Sequence, residues 1–393
     1  MLSIDQARAA VLAEVRPLPA EELALTDALG RVLAEDVTAV VDLPPFANSA
    51  MDGFAVRSGP TGRRLTVVGE SRAGTPANRA VSDCEAIRIS TGAMLPAGAD
   101  AVLQLELVSD GGATIVLNDD VQPGRNVRDA GEDVRAGAPV LRAGAAMGPG
   151  EIGMAASAGR GSLRCGRRPR VTVIGTGDEL VGPGTALGPG QIHDSNGPML
   201  TALARRAGAE VRAVRVEDDR DATIAAIAHA LADTDLLLLS GGVSVGPHDH
   251  VKPALEANGV EEVFWRVALR PGKPTWFGVK RDDPPALVLG LPGNPVSAFV
   301  TFTLFAAPAL AKLQGADRDT KTRRAQLGTA VDRHPDRDEC IRVRIDADGL
   351  ATPTGPQGSH MLSSLVEADG LALIPRGEEP LLAGTQVEVL WLR

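Results

Sequence analysis

The sequence predicts an α/β chain carrying additional β units, on three observations. The apolar run Leu236 to Leu239, with polar residues on both sides, reads as a strand buried on both faces of a parallel sheet. Immediately after Arg167-Arg168-Pro169, strand-like and helix-like patterns begin to alternate and continue to about residue 318, as in a doubly wound open sheet. On either side of that region lie short β-type runs punctuated by Gly, Pro, Asn and Asp.

Composition limits what such a chain does. At 393 residues it holds two to four domains by a prior of roughly 150 residues each, and 44% hydrophobic residues are ample for packed cores. A net charge of −10 argues against a general nucleic-acid or membrane surface, so any anion site must be assembled locally from Arg, Lys and backbone amides. Cys84, Cys165 and Cys340 lie far apart and show no metal-ligand spacing. The N-terminal stretch MLSIDQARAAVLAEV has charges among its apolar positions, so it reads as an amphipathic helix and not a signal peptide. The longest apolar run, near 298–311, falls short of the ~20 residues that span a bilayer. A soluble cytoplasmic protein is expected.

In chain order, a helix is expected over residues 1 to about 15, closed by Pro17 and Pro19. A second helix is expected over EELALTDALG, ending at Gly30 with a glycine C-cap signal. LPPFANSAMDGFAVR, Leu43 to Arg57, then suits a rigid exposed loop; Asp52 before Gly53 is either a turn residue or an active-site carboxylate held by that turn. From about 62 to 130, RLTVVGE, EAIRIS, ADAVLQLE and ATIVL indicate an inserted all-β unit. Within it Thr91 either ends a strand or donates its hydroxyl to a ligand oxygen. LRAGAAMGPGEIGMAASAG reads as strand, turn and helix.

In the α/β region, RVTVIGTGDEL is a strand ending in Gly175-Thr176-Gly177, followed by Asp178 and Glu179. SNGPMLTALARRAG is a helix capped by Ser195 or Asn196 and stopped at Gly208. A strand EVRAVRV, a helix over 221–232, the leucine strand and a helix over 251–257 follow. EEVFWRVALR, TWFGVK and ALVLGL supply further strands before a long apolar helix. Beyond about 319, KTRRAQLGTA, ECIRVRID, GLALIPRG and TQVEVLWLR read as strands of a separate β unit.

Ligands of open α/β sheets bind at the carboxyl ends of the strands. Three loops there are distinctive: Gly175 to Glu179, Ser240 to Gly246, and Leu291 to Val296. In the second, Ser240, Gly241, Gly242, Ser244 and Gly246 either form a tight connection or aim backbone N–H groups at an anion, with Pro247 opening a helix behind them. In the third, Pro292-Gly293-Asn294-Pro295 places Pro295 in a first helical turn and leaves Asn294 suited to its N-cap. Arg266, Arg270 and Lys273 supply local positive charge. A phosphate-bearing ligand accounts for this set. His334 and His360 show no metal spacing, and His248-Asp249-His250 lies at a helix start that itself favours Asp.

Seven stretches, LPPFANSAMDGFAVR, STGAMLPAGADAV, GRNVRDAGEDV, GTGDEL, SGGVSVGPHDH, LRPGKP and LPGNPVSA, occur in an order that closely resembles the MoeA family of molybdopterin molybdenumtransferases, related to the gephyrin E domain. The resemblance implies a MogA-like doubly wound domain at 169–318, with an N-terminal helix, 1–15, packed on it. It further implies a β lid at 46–130, an elongated connecting domain at 16–45 and 131–168, and a C-terminal β-barrel at 319–393. It implies a homodimer, with lid residues able to serve the partner's site, and admits a transient contact with a MogA-type adenylyltransferase. The implied reaction is hydrolysis of adenylylated molybdopterin with release of AMP and insertion of molybdenum from molybdate, assisted by magnesium. Functional carboxylates then match Asp52, Asp133, Glu179, Asp218 and Asp249, with Glu179 and Asp249 as metal ligands; the lid threonine matches Thr91 and the C-terminal serine Ser359. The chain departs from the best-known bacterial members in carrying Arg266 and Arg270 where they have lysines, a planar fork in place of a point charge. The competing functions are adenylylation of molybdopterin and a non-enzymatic scaffold of the gephyrin kind; the lid and both β units favour insertion.

Overall fold

The computed structural model describes residues 1–242, 250–316 and 322–392. Ile4–Glu14 is helical and opens with a capping box, the Ser3 hydroxyl accepting from the Gln6 N–H while the Gln6 amide oxygen accepts from the Ser3 N–H. Its apolar stripe, Ile4, Ala7 and Val11, is buried in the core of the large sheet. Two ties hold its far end: Lys312 donates to the Leu12 carbonyl, and Arg281 bridges Glu14 to Glu261.

The expected second helix is not formed. Ala20–Ala24 is a strand, paired antiparallel with Ser162–Gly166, and only a single 3-10 turn, Leu25–Asp27, follows it. Local helix propensity in EELAL is worth tenths of a kcal/mol per residue, and a five-residue ladder with a buried Leu163 and Cys165 behind it outweighs that. Gly30 does take the left-handed conformation its C-cap signal implied, φ +72°, but in a turn whose N–H bonds to Met147. Val37–Thr38 pairs with Pro139–Leu141, and the helix Pro149–Ser157 packs on the same core.

The β lid is a six-stranded sheet ordered Ala101–Gln104, Gly53–Val56, Glu85–Ile89, Arg64–Ser71, Thr114–Leu117, Val108–Asp110. Gly53 is required where it stands, because a Cβ there would lie 2.1 Å from the Leu103 carbonyl oxygen. The chain enters and leaves the lid side by side, with Leu43 bridged to Val134.

The large sheet runs Glu210–Val216, Arg170–Thr176, Leu236–Ser240, Ala286–Leu291, Trp276–Lys280, Val260–Trp265. The first four strands are parallel, and the last two pairings are antiparallel because Trp276–Lys280 alone runs the opposite way. Every side chain of Leu236–Ser240 is buried, Leu236 and Leu238 entering one core and Leu237 and Leu239 the opposite one, which is why the run lacks alternation. Helices Asn196–Arg206 and Pro295–Leu313 contribute to the first core, and Arg220–Leu231 and Val251–Ala257 to the second. The 19-residue Pro295–Leu313 is long and apolar enough to cross a bilayer, but 78% of it is buried inside the protein. It passes through a π turn, Phe302–Ala306, just ahead of Pro308, which has no N–H to offer Leu304.

Asp338–Ile345, Leu350–Pro353, Thr322–Leu327, Gln386–Trp391 and Gly370–Ile374 close into a five-stranded barrel, the last strand pairing back onto the first. Leu269–Arg270 extends this barrel in parallel with Asp338 and Glu339, so a turn of the α/β unit is hydrogen-bonded into its neighbour.

Candidate functional site

The three loops converge at the carboxyl ends of the central strands. Thr176 is buried, and the first two loops touch through it: a Cβ on Gly241 (φ +92°) would lie 3.0 Å from the Thr176 carbonyl oxygen. On Gly242 (φ +64°) it would lie 3.1 Å from Thr176 Oγ1 and 2.4 Å from Val251. The third loop closes on the second, with the Cβ position of Gly293 3.9 Å from the Gly241 Cα. Asn196 joins them, its Nδ2 donating to Ser240 Oγ at 2.9 Å and to the Gly293 carbonyl at 2.7 Å. Ser244, Gly246, Pro247, His248 and Asp249 lie outside the described residues.

Both helices begin where expected, with Asn294 and Ser195 at the N-cap positions, but neither side chain makes the capping bond. The Asn294 side chain donates instead to Ser359 Oγ at 3.0 Å. At the start of Asn196–Arg206, Asp194 Oδ1 accepts the Gly197 N–H. Asn294 is thus used for contact between elements, whereas Asp194 supplies the local capping bond expected of Ser195 or Asn196.

The structure therefore brings Ser359 to the third loop, where its carbonyl also accepts from the Val296 N–H at 3.0 Å. Behind Ser359 stands a residue that sequence reasoning missed. Arg342 is fully buried, donating from Nε to Ser364 Oγ and from its two terminal nitrogens to the carbonyls of Pro356, Gln357 and Gly358. Burial pushes its pKa below the ordinary arginine value, while the guanidinium remains protonated. Within ECIRVRID an arginine between apolar residues reads as the solvent face of a strand, so the sequence carries no signal of this role. Replacing Arg342 with Met should lower unfolding stability by about 3 kcal/mol or more, because several buried acceptors lose their donors. A loss below about 1 kcal/mol in urea unfolding would show that the clamp contributes little.

The acidic rim is formed by the loops after the first two parallel strands. Asp178 Oδ1 accepts the Asp218 N–H at 3.0 Å, bringing Glu179 and Asp218 to neighbouring loops. Glu179 is exposed, and its carboxylate folds back over Gly177 (φ +146°), where a Cβ would come within 2.4 Å of Oε2. Arg266 adopts φ +74°, a left-handed conformation uncommon for a branched-fork side chain, with its guanidinium carbon 3.9 Å from the Trp265 ring centroid. Lys252 Nζ lies over the same ring at 3.1 Å. Arg270 pairs with Glu339 of the barrel at 3.1 Å, so part of its charge is already neutralised. Lys273 is exposed on the same Pro-Gly turn.

Asp52 and Thr91, 39 positions apart, meet in the lid: Asp52 Oδ1 accepts from the Thr91 N–H at 2.7 Å and from its hydroxyl at 3.1 Å. Asp133 sits at the base of the lid, its N–H bonded to the Leu43 carbonyl and its side chain exposed. Among the described residues no hydrogen bond or strand pairing joins Asp52, Thr91 or Asp133 to the three loops. No group of three or more His, Cys, Asp or Glu suited to a metal ion occurs among the described residues.

Comparison with known proteins covers the whole chain. Residues 2–159 match the MoeA N-terminal region (domain I and II), 172–312 a probable molybdopterin binding domain, and 324–392 the MoeA C-terminal region (domain IV). A protein of Haemophilus influenzae named molybdopterin molybdenumtransferase is 37% identical over 402 residues, covering 99% of this chain and 98% of the relative. Molybdopterin molybdenumtransferase 2 of Mycobacterium tuberculosis is 38% identical over 406 residues, covering 99% of each. The crystal structure of the molybdopterin biosynthesis protein MoeA from Pyrococcus horikoshii OT3 superposes with a TM-score of 0.86 at 29% identity over 100% of both chains.

Proposed function

Because the chain belongs to the MoeA family of molybdopterin molybdenumtransferases, we propose that its three converging loops hold the phosphate end of adenylylated molybdopterin while molybdenum is transferred. The protein is a transferase that inserts molybdenum into molybdopterin. The observation that carries the site assignment is the locking of Thr176, Ser240–Gly242, Gly293–Asn294 and Ser359 against one another at the strand ends. Backbone N–H groups there suit an anion, Pro292 and Pro295 shaping the third loop without adding donors, and Ser244 and Gly246, outside the described residues, are proposed to belong to the same site. Arg266, Arg270 and Lys273 would balance the charge of substrate and molybdate, Lys273 being the least committed of the three.

Glu179, exposed on its loop, fits a divalent cation of the magnesium type, which takes one or two carboxylates and keeps several waters. Asp249 is its proposed companion. Bound there, magnesium would neutralise charge on the phosphoanhydride. Asp218 and Asp178 would orient the hydrolytic water beside it, and Asp52, Thr91 and Asp133 would act from the lid side. Because the lid carries residues that match functional ones of the family yet, among the described residues, makes no hydrogen bond with the α/β loops of its own chain, we assign the active form as a homodimer with the lid facing the partner's site.

Incubating the purified protein with adenylylated molybdopterin, magnesium and molybdate, while following AMP and active cofactor together, tests this reading. Both products should appear in step. AMP without cofactor would make the chain a hydrolase, and ATP consumption with molybdopterin would make it the adenylyltransferase; either result overturns the assignment.

A further inference from the structure

Asn196 occupies the point where the second and third loops meet. A backbone carbonyl only accepts hydrogen bonds, so the amide nitrogen must face Gly293, and the amide orientation follows from chemistry. That leaves Oδ1 as the other pole, buried and with no hydrogen-bond partner among the described residues. Buried acceptors are seldom left so, and this one belongs to the amide whose nitrogen is bound to both loops of the proposed site. Ser240 Oγ accepts from the same amide, which leaves its own O–H to donate outward. The site is thus divided: the Ser240 hydroxyl offers a donor, which suits phosphate, whereas Asn196 Oδ1 offers an acceptor, which the ionised oxygens of a phosphoanhydride cannot satisfy.

We propose that Asn196 is a substrate-binding residue whose Oδ1 accepts a hydrogen bond from a neutral N–H or O–H on the organic part of the substrate, while Nδ2 holds the two phosphate loops in register. The group is either a ring N–H or amino group of the pterin or a hydroxyl or amino group of the nucleotide. This rests on the reading of the chain as a transferase acting on adenylylated molybdopterin. Its consequence is selectivity, because a site built around an unpaired acceptor rejects ligands that bring no donor.

Binding of molybdopterin, AMP and inorganic phosphate to the native protein and to Asn196→Ala, each measured by calorimetry, separates the possibilities. The expected result is about a tenfold loss of affinity for one organic ligand relative to phosphate, the size of one lost hydrogen bond to a buried acceptor. Loss on molybdopterin places the donor on the pterin, and loss on AMP places it on the nucleotide. Asn196→Asp keeps an acceptor while losing the donor to Gly293 and adding a charge, so it should weaken all three ligands while the organic ligand loses less relative to phosphate than in the Ala variant. Asn196→Ser, which is smaller and uncharged, serves if the Ala variant does not fold. A native-like ratio in Asn196→Ala, or an equal loss across all three ligands, would reduce Asn196 to a purely structural tie and overturn the proposal. Wild-type protein that fails to insert molybdenum would instead overturn the functional reading, a separate outcome in the insertion assay.

Discussion

Asp52→Asn is expected to lower molybdenum insertion at least about a hundredfold, the range for loss of a catalytic charge or proton acceptor, with the thermal midpoint nearly unchanged. The structure makes this substitution a clean probe. Asp52 uses a single oxygen, Oδ1, to accept both the N–H and the hydroxyl of Thr91. An Asn side chain retains that oxygen and both bonds, so the turn that presents the residue survives while its negative charge is removed. The site is exposed, where substitutions that keep local bonds change stability by only about 0.5 kcal/mol. Because the change places Asn before Gly53, the mass of the assayed protein must be checked for deamidation back to Asp. Activity within threefold of normal would show that the turn, and not the charge, is what Asp52 supplies. A parallel fall in midpoint and activity would show the same by another route.

The parts of the fold legible in the sequence are those fixed by short-range pattern. Leu236–Leu239 announces a doubly buried strand because two cores take alternate side chains, and Ile4–Glu14 announces itself through cap and stripe. What escaped depends on partners far along the chain. Ala20–Ala24 is extended because Ser162–Gly166 lies beside it, and Leu269–Arg270 is recruited by a barrel strand beginning at Asp338. The site follows the same division. Its glycine loops were visible as punctuation after apolar runs, but the work of individual polar side chains was not. Asn294 and Asn196 both stand where a helix begins, and capping is the local use of such residues. Their observed partners, Ser359 for one and Ser240 with Gly293 for the other, are 44 to 97 positions away. Arg342 illustrates the limit most sharply, since its burial comes from a loop of carbonyls that no strand pattern encodes.

The proposed homodimer leads to the most discriminating experiment, a mixture of two inactive proteins. Glu179→Ala should be inactive because it removes an exposed carboxylate from the acidic rim, and it should fold because that side chain only covers Gly177. Asp52→Asn should be inactive through the lid. When the two exchange subunits at random, half of the dimers are mixed, by closed two-fold symmetry. In each mixed dimer, one composite site joins the altered lid to the altered α/β loops and is dead. The other joins the Glu179→Ala chain's intact lid to the Asp52→Asn chain's intact loops. Half of the sites in half of the dimers are then whole, so activity should recover to about a quarter of normal. If Asp52 and Glu179 instead serve one site within a single chain, every chain in the mixture carries a defect and nothing recovers. Absence of recovery after subunit exchange has been demonstrated by mass would therefore remove the shared site, and a monomer by light scattering with full activity would remove the dimer itself.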